Sequence, residues 1–338
     1  KKHFIMTTGE IQHLLFKTIK EKNNDGSILA EEIAKLLDIS TDSAYRRIRG
    51  EKSLSLDELQ TLCLHFKIST DRLIGLQSTG VIFTGEYLDK KTFRFEEYVN
   101  SLIQNLSYMN SFKEKTFYYS CKDLPIFHHY HFREIAAFKW FFWLKTYFHF
   151  PEFEKKKFNF KDHPDELFVL EQKVLVLYNQ LPSVEIWNLE SMNIFFRQIE
   201  FYRDSQVFNS DEDVYQLYES IGKLWGHLEK QASLGYKFDY NDPTQKRIGD
   251  LKMYFNEVLL GDNNMLLEMD GSRMTYVSHT TINFMFTRDE AFNLNMYNHI
   301  QNQMKRSTLI SEVSERERAR FFRLIREKIE HRKESLKV

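Results

Sequence analysis

The chain has 338 residues, 42% of them hydrophobic and 28% charged, and its 47 basic and 48 acidic side chains leave a net charge of −1. That length exceeds one ordinary domain, and the balanced charge excludes a disordered polyelectrolyte and a uniformly basic chromatin-type protein. The 30 Phe, 17 Tyr and 4 Trp against 12 Gly and 5 Pro exclude collagen-like and turn-dense β-sandwich chains and predict a mostly helical protein with a bulky core.

Residues 8–22 carry Ile11, Leu14, Leu15 and Ile19 at helical spacing, and Asn23-Asn24-Asp25-Gly26 breaks the pattern. Ser27 is placed to cap a second helix holding Leu29, Ile33, Ala34, Leu36 and Leu37. After Asp38-Ile39-Ser40 a third helix is expected over 41–49, with Gly50 at its C-terminal cap. Ser55 and Glu58 form a capping box that opens a fourth helix with Leu59, Leu62 and Phe66, and Ser69 to Gly75 reads as a last short helical turn.

The segment from Glu32-Ile33-Ala34-Lys35-Leu36-Leu37-Asp38-Ile39-Ser40 through Ser43-Ala44-Tyr45-Arg46-Arg47-Ile48-Arg49-Gly50 resembles the helix-turn-helix of the lambda-repressor-like (Cro/repressor, Xre) family. Leu54-Ser55-Leu56-Asp57-Glu58-Leu59 and the tail Phe66 to Leu73 are similar to that family's fourth and fifth helices. The resemblance covers about 70 of the 338 residues. It implies that the second helix of the pair enters a major groove of double-stranded DNA and puts Ser40, Thr41, Asp42, Ser43, Tyr45, Arg46, Arg47 and Arg49 at or beside the contact face.

Two residues depart from the family pattern: Asp38 stands where Gly is frequent, and Arg47 lies near a usually apolar position with Ile48 next to it. The register therefore stays open by one residue. Thr41, Asp42, Ser43 and Arg46 face DNA in either register, and Arg47 in one of them. Small Ala34 suits the crossing of the two helices, with Ile33, Leu37 and Ile39 buried beneath it. Ser40 or Thr41 is expected on a phosphate as well as at the helix cap, and Arg46 or Arg47 on guanine O6 and N7. Asp42 either accepts from cytosine N4 or simply favours the helix N-terminus through the dipole. Arg46, Arg47, Arg49 and Lys52 against Glu51 alone make a local basic patch of the kind phosphates require.

Leu76-Gln77-Ser78-Thr79-Gly80 reads as a linker, which divides the chain into a helix-turn-helix domain (1–76), a linker and start of the second domain (77–90), and an effector and dimerisation domain (91–338). In the latter, Val81-Ile82-Phe83-Thr84, Lys115 to Ser120 and Val184 to Trp187 have strand character. Helices are expected over 95–110, 132–148, from Pro164 onward, 189–206, 211–233 and 244–258. Met265 to Met269, the turn Asp270-Gly271 and Arg273 to Ser278 form a hairpin, followed by a strand over 280–286. Thr287 to Glu290 and Ser314 to Glu317 read as capping boxes for helices reaching about 305 and 332. The expected fold is therefore multidomain: an all-α helix-turn-helix head and a larger, helix-rich mixed α/β body.

Other candidate chemistry is weak. Phe127-His128-His129-Tyr130-His131-Phe132 could join His149 or His163 in a metal site, but no ligand spacing accompanies it, and an aromatic loop is the favoured reading. Neither a glycine phosphate cradle nor a Gly-x-Ser-x-Gly elbow occurs, and Glu268 with Asp270 reads as a hairpin end. The aromatic run Phe138, Trp140, Phe141, Phe142, Trp143, Tyr147, Phe148 reads as core before pocket or dimer surface. The basic final helix, with Phe322, Ile325 and Ile329 at helical spacing, reads as an amphipathic surface helix laced by i,i+4 pairs.

Cys63 and Cys121 are too few for a disulfide framework and fit a reduced, cytoplasmic protein. The apolar stretch Ile135 to Leu144 is short and interrupted by Lys139, so no membrane span is expected, and Lys1 to Met6 has no apolar segment of signal-peptide length. These features together predict a non-enzymatic, sequence-specific transcriptional regulator without cofactor or metal. It would bind double-stranded DNA as a homodimer and respond to a small-molecule effector. The competing readings are an enzyme with a regulatory helix-turn-helix head and a protein-interaction adaptor of the antitoxin or anti-repressor kind.

Overall fold

The computed structural model describes residues 7–22, 29–66, 68, 70–73, 80–85, 88, 91–258, 261–280 and 282–336. The chain divides into two units, Lys1–Val81 and Ile82–Val338. The expected cap Ser27, the break before it, the ends Ser69, Ile74 and Gly75 of the last short helix, and the linker residues Leu76 to Thr79 lie outside the described residues.

The first unit is all-α: α1 (Thr8–Lys22), α2 (Leu29–Leu36), α3 (Thr41–Ile48), α4 (Leu56–His65) and the short α5 (Thr70–Leu73). Their apolar stripes meet around Leu15, Ile19, Ile33, Ala44 and Leu62, all fully buried. Asp38 sits at φ 52°, in the left-handed region, which its short polar side chain tolerates. The turn closes as Ile39 N donates to Ala34 O at 2.9 Å. Gly50, at φ 77°, ends α3, where its N–H reaches Arg47 O at 3.0 Å and Glu51 N reaches Arg46 O at 2.8 Å. The capping box of α4 is complete: Glu58 N donates to Ser55 Oγ at 3.1 Å and Ser55 N to Glu58 Oε2 at 3.0 Å.

The second unit is built on a sheet in the order β3-β4-β2-β1-β5-β6-β7, with β8 pairing β4. The strands are β1 (Lys115–Cys121), β2 (Ser183–Trp187), β3 (Tyr236–Lys237), β4 (Gly249–Phe255), β5 (Asn264–Met269), β6 (Ser272–Ser278), β7 (Phe284–Thr287) and β8 (Thr308–Leu309). β1, β2 and β4 run parallel and β5 to β7 form an antiparallel meander beside β1. The connections carry α6 (Phe95–Asn110), α7 (Ile126–His129), α8 (Arg133–Phe142), α9 (Pro151–Glu154), α10 (Asp165–Gln180), α11 (Asn193–Asp204), α12 (Asp211–Leu234), α13 (Glu290–Lys305) and α14 (Glu315–Glu334).

Alternation along the strands assigns the two faces. Phe117, Tyr119, Trp187, Leu251, Met253 and Leu267 point into a large aromatic core shared with α6, α8, α10, α11, α12 and α14. Tyr118, Val184, Ile186 and Leu266 point the other way, onto Ile300, Met296 and Tyr297 of α13. The aromatic run after Ile135 is core, as expected. Phe138 and Phe141 are fully buried, while α8 passes into a π-helical turn at Trp143–Tyr147 instead of continuing as an α-helix to 148.

Several expected elements are corrected. Residues 244–258 are not helical: Leu251, Met253 and Phe255 alternate with exposed or half-buried Asp250, Lys252 and Tyr254, the period-two pattern of a half-buried strand. Of Val81 to Thr84, only Thr84 pairs, as a single bridge to Phe286. The helix expected from 189 starts at Asn193, and the strand expected over 280–286 covers Phe284–Thr287. The cap of α13 is Asp289, which accepts from Phe292 N at 2.8 Å, and Thr287 supports it by accepting from Asp289 N at 3.2 Å. Ser314 takes φ 54° and makes no side-chain cap, so α14 opens without its expected box. The burial of Phe322, Ile325 and Ile329 in α14 follows the expected stripe. Its charges, however, pair mostly with other elements, such as Arg332 with Glu200 at 2.7 Å and Arg326 with Glu229, beside one i,i+4 pair, Arg323–Glu327, at 2.8 Å.

Candidate nucleic-acid interface

α3 is short, and its N-terminus is ordered by its own sequence. Ser40 has extended backbone (φ −68°, ψ 151°) and its Oγ accepts from Ser43 N at 3.3 Å. The two hydroxyls also meet at 3.1 Å, which holds Ser40 and Ser43 together at the tip of the helix. Asp42 in the first turn complements the helix dipole.

The helical period then sorts the remaining side chains. Ala44 is fully buried against the head's core, while Thr41, Asp42, Tyr45, Arg46 and Arg49 are exposed and Ser43 is half-buried. Tyr45 is 48% exposed, unusual for an aromatic with a core to enter. Arg46 and Arg49 reach Glu51 at 3.9 and 2.9 Å, exposed pairs that contribute little in water and exchange readily for phosphate contacts.

Arg47 corrects one expectation. It is 4% exposed and turned inward, with Nη2 on Glu58 Oε1 at 2.6 Å, Nε on Glu58 Oε2 at 3.1 Å and Nη1 on Ser43 O at 3.1 Å. A buried guanidinium must be paired, and Glu58 supplies a bidentate acceptor. That fixes the register: Arg46 and Arg49 face outward, and Arg47 belongs to the scaffold. The basic patch is correspondingly smaller than its sequence count.

The stretch following α3 is held by Gln12 of α1, which sequence reasoning missed. Its buried amide donates to Arg47 O at 2.7 Å and to Lys52 O at 2.8 Å, and its oxygen accepts from Leu54 N at 3.0 Å. The exposed face of α3 therefore stands on a braced helix, with buried Ala44 and an ion pair behind it.

Residues 10–83 match the family model of the BetR domain. This is a DNA-binding domain of the helix-turn-helix type, and the match begins inside α1 and covers α2 to α5. The chain thus has a DNA-binding regulatory role through the BetR-matching unit. No curated protein and no solved structure gives a significant match to the chain.

The other candidates are placed as follows. His128 and His129 are buried on the short helix α7 rather than in a loop, and His128 Nε2 lies 3.3 Å from Glu185 Oε2. His163 pairs instead with Glu171 at 3.2 Å, deep in the body. Among the described residues, no three His, Cys, Asp or Glu side chains converge with metal-ligand geometry. Glu268 and Asp270 are structural: Glu268 pairs with Arg273 at 2.7 Å and accepts from Tyr118 OH at 2.8 Å, and Asp270 accepts from Glu114 N at 2.8 Å. Among the described residues, no helix is long and apolar enough to cross a membrane.

Proposed function

We propose that the chain is a sequence-specific transcriptional regulator of the lambda-repressor (Xre) type, acting in the cytoplasm without catalysis. The observation that carries this reading is the outward face of α3, where Thr41, Asp42, Tyr45, Arg46 and Arg49 project from a capped helix braced by Arg47–Glu58. Ser40, Thr41 and Ser43 at the helix N-terminus are the phosphate contacts. Arg46 is the base reader, with guanine O6 and N7 as its acceptors. The chain works as a homodimer, because two heads on paired half-sites multiply both affinity and specificity. A small-molecule effector binds the body and favours one spacing of the heads over another.

The test is a salt-dependent binding titration of the full chain with the DNA upstream of its own gene. The wild type is expected to bind specifically and the Arg46→Ala/Arg49→Ala variant to lose most of that affinity. Equal affinity in both would reject the assignment of α3.

A further inference from the structure

Beyond the carboxyl end of β1, the body holds a cavity of about 80 Å³ lined by Asp123, His129, Lys139, Trp143 and Gln198, with Ile194 on its wall. Crevices at the carboxyl ends of parallel strands are where α/β sheets commonly receive ligands. Three polar atoms of these residues are buried and have no hydrogen-bond partner: Asp123 Oδ1, His129 Nδ1 and Trp143 Nε1. A buried polar group without a partner is costly, so three on one small cavity are unfavourable unless a polar molecule occupies it.

The charges are arranged in the same way. Lys139 is 7% exposed, and its ammonium has one hydrogen-bond acceptor, Gln198 Oε1 at 2.7 Å, among the rings of Phe195 and Trp143 at 5.1 and 5.3 Å. Burial brings its pKa down to about 8, which still leaves it mostly protonated at neutral pH. Asp123 uses its other oxygen on Asn263 Nδ2 at 3.4 Å. Lys139 and Asp123 line the same cavity, yet they are not among the ion pairs of the described residues. A simple anion would satisfy the ammonium and leave the buried Asp123 Oδ1 without a partner, and a simple cation would do the reverse. A molecule carrying both charges satisfies both. His129 is held well below its usual pKa, first by burial and then by Lys139, so its neutral ring has one nitrogen free to accept. The space is small and suits a compact ligand rather than a bulky one.

We infer that this cavity binds a small zwitterionic amino acid of the size of glycine or alanine. Its carboxylate lies on Lys139 Nζ and Trp143 Nε1, and its ammonium on Asp123 Oδ1. The inference names a ligand class for the effector proposed above and rests on that reading only for its regulatory meaning, since binding is measurable without DNA.

Calorimetric titration of the full chain with glycine and with L-alanine tests it, with acetate, methylammonium and L-leucine as comparisons. Glycine or alanine is expected to bind, and the three comparison compounds to bind at least tenfold more weakly. Lys139→Met and Asp123→Asn should each lower the affinity at least tenfold. Ile194→Trp, a change at a position 38% exposed, should block the cavity without touching either charge and guards against a charge variant that fails to fold. Absence of glycine and alanine binding overturns the inference, as does acetate binding equal to that of glycine, or glycine affinity unchanged in all three variants. A DNA titration with and without glycine separates the two readings. Intact DNA binding with no glycine binding removes this site alone, whereas glycine binding that leaves DNA affinity unchanged supports the site and removes its effector role.

Discussion

Arg47 Nη2 lies 2.6 Å from Glu58 Oε1, and Glu58 is also the residue that closes the capping box of α4. One carboxylate therefore ties α3 to its neighbour and satisfies a backbone donor at that neighbour's start. Removing the guanidinium leaves Glu58 without its buried partner and opens a space beneath α3. Arg47→Ala is expected to destabilise the head by about 3 kcal/mol, read from urea denaturation followed by circular dichroism. A midpoint unchanged from wild type would contradict this. Arg47 is for that reason a poor probe of DNA contact, because its loss unsettles the scaffold.

Arg46 and Arg49 should behave in the opposite way. Both are exposed and paired only at the surface, so alanine at either should shift stability by no more than about 0.5 kcal/mol. If the side chain neutralises a phosphate, its removal should instead flatten the dependence of log affinity on log salt by about 0.9. Fluorescence anisotropy at three salt concentrations measures the slope, and parallel lines for wild type and variants would count against phosphate contact.

Two glycines separate strain from crowding. Gly50 has φ 77° with open space where a side chain would stand, so Gly50→Ala should cost about 1 kcal/mol from backbone strain alone. A Cβ on Gly249 would collide with the Asn179 carbonyl oxygen and the Gln180 backbone, which cannot swing away. Gly249→Ala should therefore cost about 3 kcal/mol, and thermal melts that rank the two variants in the reverse order would refute the packing argument.

The body should weaken in mild acid. Burial holds His227 down to about 4, from 6.5, and keeps His129 and His131 well below their usual range. The unfolded chain then binds more protons than the folded one between pH 6.5 and about 4. Stability is full above that window and falls as pH drops through it, by about 3 kcal/mol for His227 alone. Denaturation midpoints at pH 7, 5.5 and 4.5 measure the slope, which His227→Gln should make shallower. An identical slope in that variant would remove His227 as a cause.

The head was largely legible because its signals are local. A capping serine with its glutamate and a glycine after α3 each act within a few residues of themselves, and the structure places Ser55–Glu58 and Gly50 in those conformations. The body was legible only where periodicity was strong. α6 and the β5–β6 hairpin were expected close to their observed positions, whereas β4 was misread as helix because its alternation runs for only seven residues.

Sequence alone determined the run of short helices in the head, the capping box of α4 and the glycine that ends α3. Whether Arg46 or Arg47 turns inward was a tertiary decision, because adjacent residues on a helix point about 100° apart and only the position of Glu58 selects between them. The same holds for Glu185, Lys237 and Lys139, all three buried. Charged residues read as surface until the topology puts β2 in mid-sheet and closes helices over it, and burial then makes each of them depend on partners far away in the chain.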